Sequence, residues 1–311
     1  MIREAAEFLR GRVRRTPLEF SHGLSERLGV PVWLKLESMQ LTGSFKIRGA
    51  LFRLSRLSEA ERRDGVVTCS AGNHGKAVAY AARQCGVRAT VCVPRSVDRA
   101  KYEGMLTLRA DVCVSEFDGY DDTEEWAREM AREQGRLFLS PFDDYAVMAA
   151  NGGTVALEVL EDAPSAHAFI LPVGGGGLAA GFAFAAPEGT IIACQHQSSP
   201  ALPMSLAAGR AITKLPAVET MAGGVEGGIG ALTFAVLGPR VSRVALVSEE
   251  EILDAVRWMV EHHQYLIEPT AAVTVAACLA GRVGKLNDPI VVIISGRNVS
   301  AAAAKKILCD C

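Results

Sequence analysis

Short apolar runs alternate along the chain with stretches in which hydrophobic positions recur every three or four residues. The runs at 66–69, 89–93, 111–114 and 137–139 predict strands, and the intervening stretches at 75–84, 97–108 and 121–133 predict helices. A second series follows, with a helix at 154–160, a strand at 168–172, a helix at 178–186 and strands at 190–194 and 241–246. It closes with helices at 249–262 and 271–279 and a strand at 289–294. Ahead of both series, helices at 4–9 and 21–28 are separated by Arg15-Thr16-Pro17-Leu18, where the proline breaks the pattern. A strand at 32–36 then leads to a helix at 47–57 that carries Ile47, Ala50, Leu51 and Leu54 on one face. Ser248 and Glu251 have the spacing of a capping box at the start of 249–262. Strands separated by helices imply an α/β fold with mainly parallel, helix-covered sheets joined by right-handed crossovers.

Composition sharpens this picture. A chain of 311 residues and 33.1 kDa with 49% hydrophobic residues can bury a large core and favours two domains over one. A formal charge of -2 and a pI near 6.3 leave no basic excess, so nucleic acid is not an expected partner. Charges at Arg3, Glu4, Glu7, Arg10 and Arg12 fit neither a secretory leader nor a membrane-spanning start, and a cytoplasmic protein without a membrane partner is expected. The cysteines are scattered except for Cys309-Asp310-Cys311, which lacks the further ligands of a zinc site.

Three stretches carry chemistry. Lys46 sits in Ser44-Phe45-Lys46-Ile47-Arg48-Gly49, between a predicted strand and a predicted helix. Taken alone it reads as a surface charge. The asparagine-bearing loop Ser70-Ala71-Gly72-Asn73-His74-Gly75 and the glycines Gly174, Gly175, Gly176 and Gly177 add what an aldehyde cofactor with a phosphate tail requires. Glycines after an apolar strand let backbone N–H groups approach a phosphate, and the helix that follows favours its charge. A dinucleotide loop is disfavoured because G-x-G-x-x-G spacing is missing: Leu178 and Ala179 precede the next glycine, Gly181. Asn73 reads either as a helix cap or as an amide donor to the cofactor. A lysine amine that forms a Schiff base with pyridoxal phosphate would make the chain an amino-acid enzyme.

SFKIRG, SAGNHG, the PFDD of 141–144, the PVGGGGL of 172–178, the IEPTA of 267–271 and the SGRN of 295–298 occur in collinear order over nearly the whole chain. Together they resemble the fold-type II pyridoxal-phosphate enzymes of the tryptophan-synthase-beta superfamily. The similarity is greatest to threonine/serine dehydratases and, among them, to hydroxyectoine-utilisation dehydratases. The resemblance implies two three-layer α/β domains, a small one at 42–145 and a large discontinuous one at 1–41 and 146–311, with the active site in the cleft between them. It also implies a homodimer. Lys46 would hold the cofactor and act as base at the substrate's α carbon, and Phe45 would pack against the cofactor ring. Asn73 would meet the phenolic oxygen, Ser295 the pyridine nitrogen, and Gly174, Gly175, Gly176, Gly177 and Leu178 the phosphate. Ser70, Ala71, Gly72 and His74 would receive the substrate carboxylate, with His74 not the base.

Several positions depart from the family pattern. Arg297 replaces a glycine in SGRN, and Gly223-Gly224 stand where relatives have Asp-Gly, with Glu226 close behind. Ala71 occupies the place of the second base of serine racemases, so racemisation is not expected as the primary function. Gln195 and Ala201 replace acidic metal ligands, and no metal is expected. The expected reaction is β-elimination from a β-hydroxy amino acid such as threonine or serine to a 2-oxo acid and ammonia. A hydroxyectoine-derived hydroxy-diamino acid is the alternative substrate, met by Arg297 and Glu226; the resemblance of 151–154, 194–202 and 219–230 supports it. The competing class is a non-catalytic amino-acid-binding protein on the same scaffold, against which the intact Lys46, Asn73, glycine loop and Ser295 argue.

Overall fold

A computed structural model describes residues 1–309 and resolves them into ten strands in two sheets, surrounded by helices. The strands are β1 (Leu18–Phe20), β2 (Val32–Lys35), β3 (Val66–Cys69), β4 (Ala89–Val93), β5 (Asp111–Val114), β6 (Leu137–Phe138), β7 (Ala168–Pro172), β8 (Thr190–His196), β9 (Val241–Val247) and β10 (Ile290–Ile293). The smaller sheet has the order β5-β4-β3-β6 and is wholly parallel. The larger has the order β1-β2-β10-β7-β8-β9 and is parallel apart from the antiparallel edge pair β1 and β2. Central strands such as Ile290–Ile293 are buried along their whole length, which explains their uninterrupted apolar runs.

The alternation predicted from sequence is observed, and the Ser248–Glu251 capping box forms with both reciprocal bonds. The structure adds β1 and helices at Glu59–Asp64, Ala201–Ala208, Ala231–Leu237 and Ala301–Cys309 that the periodicity did not disclose. These elements are too short, or too uniformly small and apolar, to present a distinct face. Every described cysteine is free; Asp310 and Cys311 of the terminal pair lie outside the described residues. Among the described residues no helix is long and apolar enough to cross a membrane.

Two features anchor the helix Lys46–Ser55. One is a buried ion cluster. Arg48, 1% exposed, donates to both oxygens of Glu37 at 2.9 and 2.7 Å and to Glu158 at 2.6 and 3.0 Å, while Lys35 donates to Glu158 at 2.6 Å. The other is a π-helical turn, Ala149–Gly153, whose Asn151 accepts the Gly49 N–H at 2.8 Å. A Cβ on Gly152 would lie 2.0 Å from the Leu178 carbonyl oxygen, and one on Gly181 2.0 Å from that of Met148. The π turn therefore packs backbone to backbone on the helix Gly177–Ala185, which follows the glycine loop. Lys46 and that loop are thus held by adjoining, closely packed elements.

Candidate active site

Residues from both ends of the chain converge beside Lys46. Ser44 bridges Gly296, Phe45 N–H donates to the Ser295 carbonyl at 3.2 Å, and Arg297 N–H donates to that of Gly43 at 2.9 Å. The SFKIRG and SGRN motifs therefore lie side by side, in an isolated antiparallel bridge beyond the ends of the parallel strands β2 and β10. Lys46 opens its helix, and its Nζ donates to the Pro141 carbonyl at 2.8 Å. The ammonium lies 5.2 Å from the centroid of the Phe45 ring, which is buried against the core formed by Val173, Leu178 and Ile293. Burial pushes the Lys46 amine down to about 8, against a weaker opposing pull from Glu268. An amine so placed is available as a nucleophile and base near neutral pH.

Asn73 opens the helix Asn73–Cys85, with Gly72 at its cap position; its amide donates to Glu268 at 2.5 Å and accepts from Asn298 at 2.6 Å. Glu268 precedes the helix Pro269–Leu279, and burial raises its carboxyl to about 7. In the same loop Ser70 Oγ accepts from Gly72 N–H at 3.1 Å, and Ala71 is partly buried. His74 is buried with Nδ1 unpartnered, and burial, then the Lys46 charge, lower it to about 3, so its imidazole is neutral.

The glycine loop is built by exclusion of side chains. A Cβ on Gly174 would stand 2.2 Å from the Gly224 carbonyl oxygen, and one on Gly175 2.2 Å from the Phe142 ring; Gly176 has φ +92°. Thr233 Oγ1 donates to the Gly175 carbonyl at 2.6 Å, and Asp143 accepts the N–H groups of Leu232 and Thr233 at 2.8 and 3.1 Å. Among the described residues no acceptor takes the N–H groups of Gly174, Gly175, Gly176 or Gly177, which lead into the helix Gly177–Ala185. Open N–H groups at a helix N-terminus are what a phosphate requires. The hydroxyl of Ser295, 1% exposed, also has no partner. An unpaired buried hydroxyl costs about 1–3 kcal/mol, so a ring nitrogen as partner suits it. These residues fit pyridoxal phosphate.

Other sequence candidates stand further from this group. Arg297 is exposed; burial first, and then the Arg297 charge, lower the Lys76 amine. Glu226 Oε1 accepts from Val218 N–H at 3.3 Å and acts on Asp121, so it is not brought into the Lys46–Asn73–Glu268 group. Gln195 uses its amide on the Val173 carbonyl at 3.1 Å and the Leu202 N–H at 2.8 Å, linking β8 to the helix Ala201–Ala208. Among the described residues no set of three or more His, Cys, Asp or Glu side chains is arranged to hold a metal. Sequence reasoning assigned no role to Glu268, Asn298 or Phe142, although each lies in a motif it singled out. The signals were a carboxylate before a helix-starting proline and polar residues flanking glycines.

The fold, the lysine and the glycine cradle define a pyridoxal-phosphate enzyme, and the family model for "Pyridoxal-phosphate dependent enzyme" matches residues 9–296. The chain belongs to this family and, within it, to the threonine/serine dehydratases. It is 40% identical over 305 residues to an L-threonine ammonia-lyase of Geobacter sulfurreducens, spanning 96% of this chain and 75% of that one. It is 36% identical to the catabolic L-threonine dehydratase of Escherichia coli, spanning 98% and 94%. The structure of maize serine racemase superimposes with a TM-score of 0.91 at 32% identity over 98% of this chain and 94% of that one. Threonine deaminase isoform 2 of Solanum lycopersicum gives 0.86 at 32% over 95% and 82%.

Proposed function

We propose that the chain is a threonine/serine-type ammonia-lyase that eliminates water from a β-hydroxy amino acid and releases a 2-oxo acid and ammonia. The observation that carries this reading is a partly buried lysine amine, lowered to about 8, beside a cradle of unpaired glycine N–H groups and an unpaired serine hydroxyl. Lys46 would hold pyridoxal phosphate, Gly174 to Gly177 with Leu178 its phosphate, Ser295 its ring nitrogen, Asn73 its phenolic oxygen and Phe45 its ring face. Bound there, the group supplies an electron sink for charge developing at the substrate's α carbon. The backbone of Ser70, Ala71 and Gly72, with the Ser70 hydroxyl and neutral His74, orients the substrate carboxylate. The neutral Lys46 amine takes the α proton, hydroxide leaves the β carbon as water, and the released enamine tautomerises to an imine that water hydrolyses to the 2-oxo acid and ammonia. Ser295, a neutral hydroxyl rather than a carboxylate, does not enforce ring protonation, which favours elimination over transamination.

The small domain comprises 42–145 in this reading, the large one 1–41 and 146–311, and two copies of the chain associate. Threonine and serine are the general substrates, in keeping with the relatives' names. A hydroxyectoine-derived hydroxy-diamino acid is the finer reading, supported by Arg297, an exposed guanidinium donor in the SGRN turn where the family pattern has glycine. Glu226 enters it through the 219–230 segment, because the nearby Gly224 packs on Gly174. The test is 2-oxo acid release from threonine, serine and the hydroxy-diamino acid by wild type and Lys46→Ala. Turnover near the wild-type rate without Lys46 would overturn the assignment; a preference for threonine unaltered by Arg297→Gly would overturn only the finer reading.

A further inference from the structure

Asn73 does not set its own orientation. A primary amide offers an oxygen on one side and an amino group on the other, and only the amino side donates. The neighbouring Asn298 touches two groups that have no freedom to exchange roles. Its Oδ1 accepts from the Lys76 ammonium at 2.8 Å, and its Nδ2 donates to the Thr42 carbonyl at 2.9 Å. A lysine ammonium only donates and a carbonyl only accepts, so the Asn298 amide is fixed. Its amino group then meets Asn73 Oδ1 at 2.6 Å, leaving Asn73 Nδ2 to donate to Glu268 at 2.5 Å. Glu268 is held in turn, because its other oxygen accepts the Asn298 N–H at 3.1 Å. One of the two Asn73 amide hydrogens is used by Glu268, and the second remains to give.

We propose that Lys76 and Asn298 are positioning residues that hold the Asn73 amide with its amino side, not its oxygen, toward the cofactor. This rests on the reading that Asn73 meets the phenolic oxygen of pyridoxal phosphate, which accepts but does not donate. The relay runs from the first turn of the helix Asn73–Cys85 to the turn after β10, so it also ties the asparagine loop to the SGRN turn. The Lys76 ammonium at the start of a helix opposes the helix dipole, a placement that this hydrogen bond offsets.

The test compares donors with acceptors at constant size. Asn298→Asp places an acceptor against Asn73 Oδ1 and turns the amide over; Lys76→Glu reverses the first link, whereas Lys76→Gln keeps a donor there. Apo variants are titrated with pyridoxal phosphate and followed by absorption and fluorescence, with thermal melting as the check on folding. Asn298→Asp is expected to weaken cofactor affinity at least tenfold, to shift the bound-cofactor absorption band and to exceed the loss in Asn298→Ala. Lys76→Glu is expected to lose more than Lys76→Gln. Equal losses across acceptor and donor variants, or a larger loss in Asn298→Ala, would overturn the relay while wild-type cofactor binding keeps the functional reading intact. Failure of wild type to bind pyridoxal phosphate would overturn both.

Discussion

Replacing Arg48 by methionine tests how strongly the buried ion cluster holds the lysine-bearing helix. Arg48 is 1% exposed, Glu37 0% and Glu158 15%, so the charges have little water to fall back on. Without Arg48, Glu158 keeps Lys35 at 2.6 Å, but Glu37 is left with the Thr16 hydroxyl at 2.6 Å as its remaining side-chain partner. Removing one member of a buried pair in this way costs about 3–5 kcal/mol, chiefly as the penalty of the stranded charge. At about 2–4 °C per kcal/mol, the melting temperature should fall by roughly 6–20 °C. The double variant Arg48→Met with Glu37→Leu removes the stranded carboxylate and should be at least about 1 kcal/mol more stable than the sum of the single losses. Urea denaturation of all four proteins, followed by circular dichroism, measures both quantities. A single-variant loss under about 1 kcal/mol, or strict additivity, would refute the view that Glu37 depends on Arg48.

Apo protein should react with pyridoxal phosphate along a pH profile centred near 8, because burial has lowered the Lys46 amine to about that value. Near pH 7.5 that leaves roughly a quarter of the amines neutral, against about one in a thousand for an ordinary lysine; a stopped-flow profile centred near 10 would contradict it. Glu268→Gln removes the charge that favours the Lys46 ammonium, so the same profile should move to lower pH. Gly174→Ala should weaken cofactor affinity more than tenfold, since its Cβ meets the Gly224 backbone 2.2 Å away, and equilibrium titration reads the effect. Ser248→Ala removes a capping-box hydroxyl and should cost about 1 kcal/mol in urea denaturation without altering cofactor affinity.

The α/β order and the motif positions were legible because β3, β4, β7 and β10 are buried throughout, so their composition reports burial directly. Asn73 and the glycine loop were legible for a related reason: each stands at a strand-to-helix transition, where residue type is tightly constrained. Asn298 and Glu268 escaped assignment because their roles come from contacts between distant segments, which no local pattern records. The π turn at Ala149–Gly153 escaped too, since its geometry depends on the close approach of Gly152 and Gly181 rather than on propensity.

The side-by-side placement of β2 and β10 governs when the protein can mature. Val32 pairs with Ile290 and Ser44 with Gly296, so the strand that leads to Lys46 gains its parallel neighbour only after β3 to β9 have been synthesised. On the ribosome the smaller sheet can assemble from contiguous chain, while the lysine waits for a partner that has yet to emerge. Such long-range closure is slow compared with local helix formation. Cofactor capture should therefore follow the emergence of β10, and nascent chains halted before it should carry folded small-sheet structure without a competent lysine.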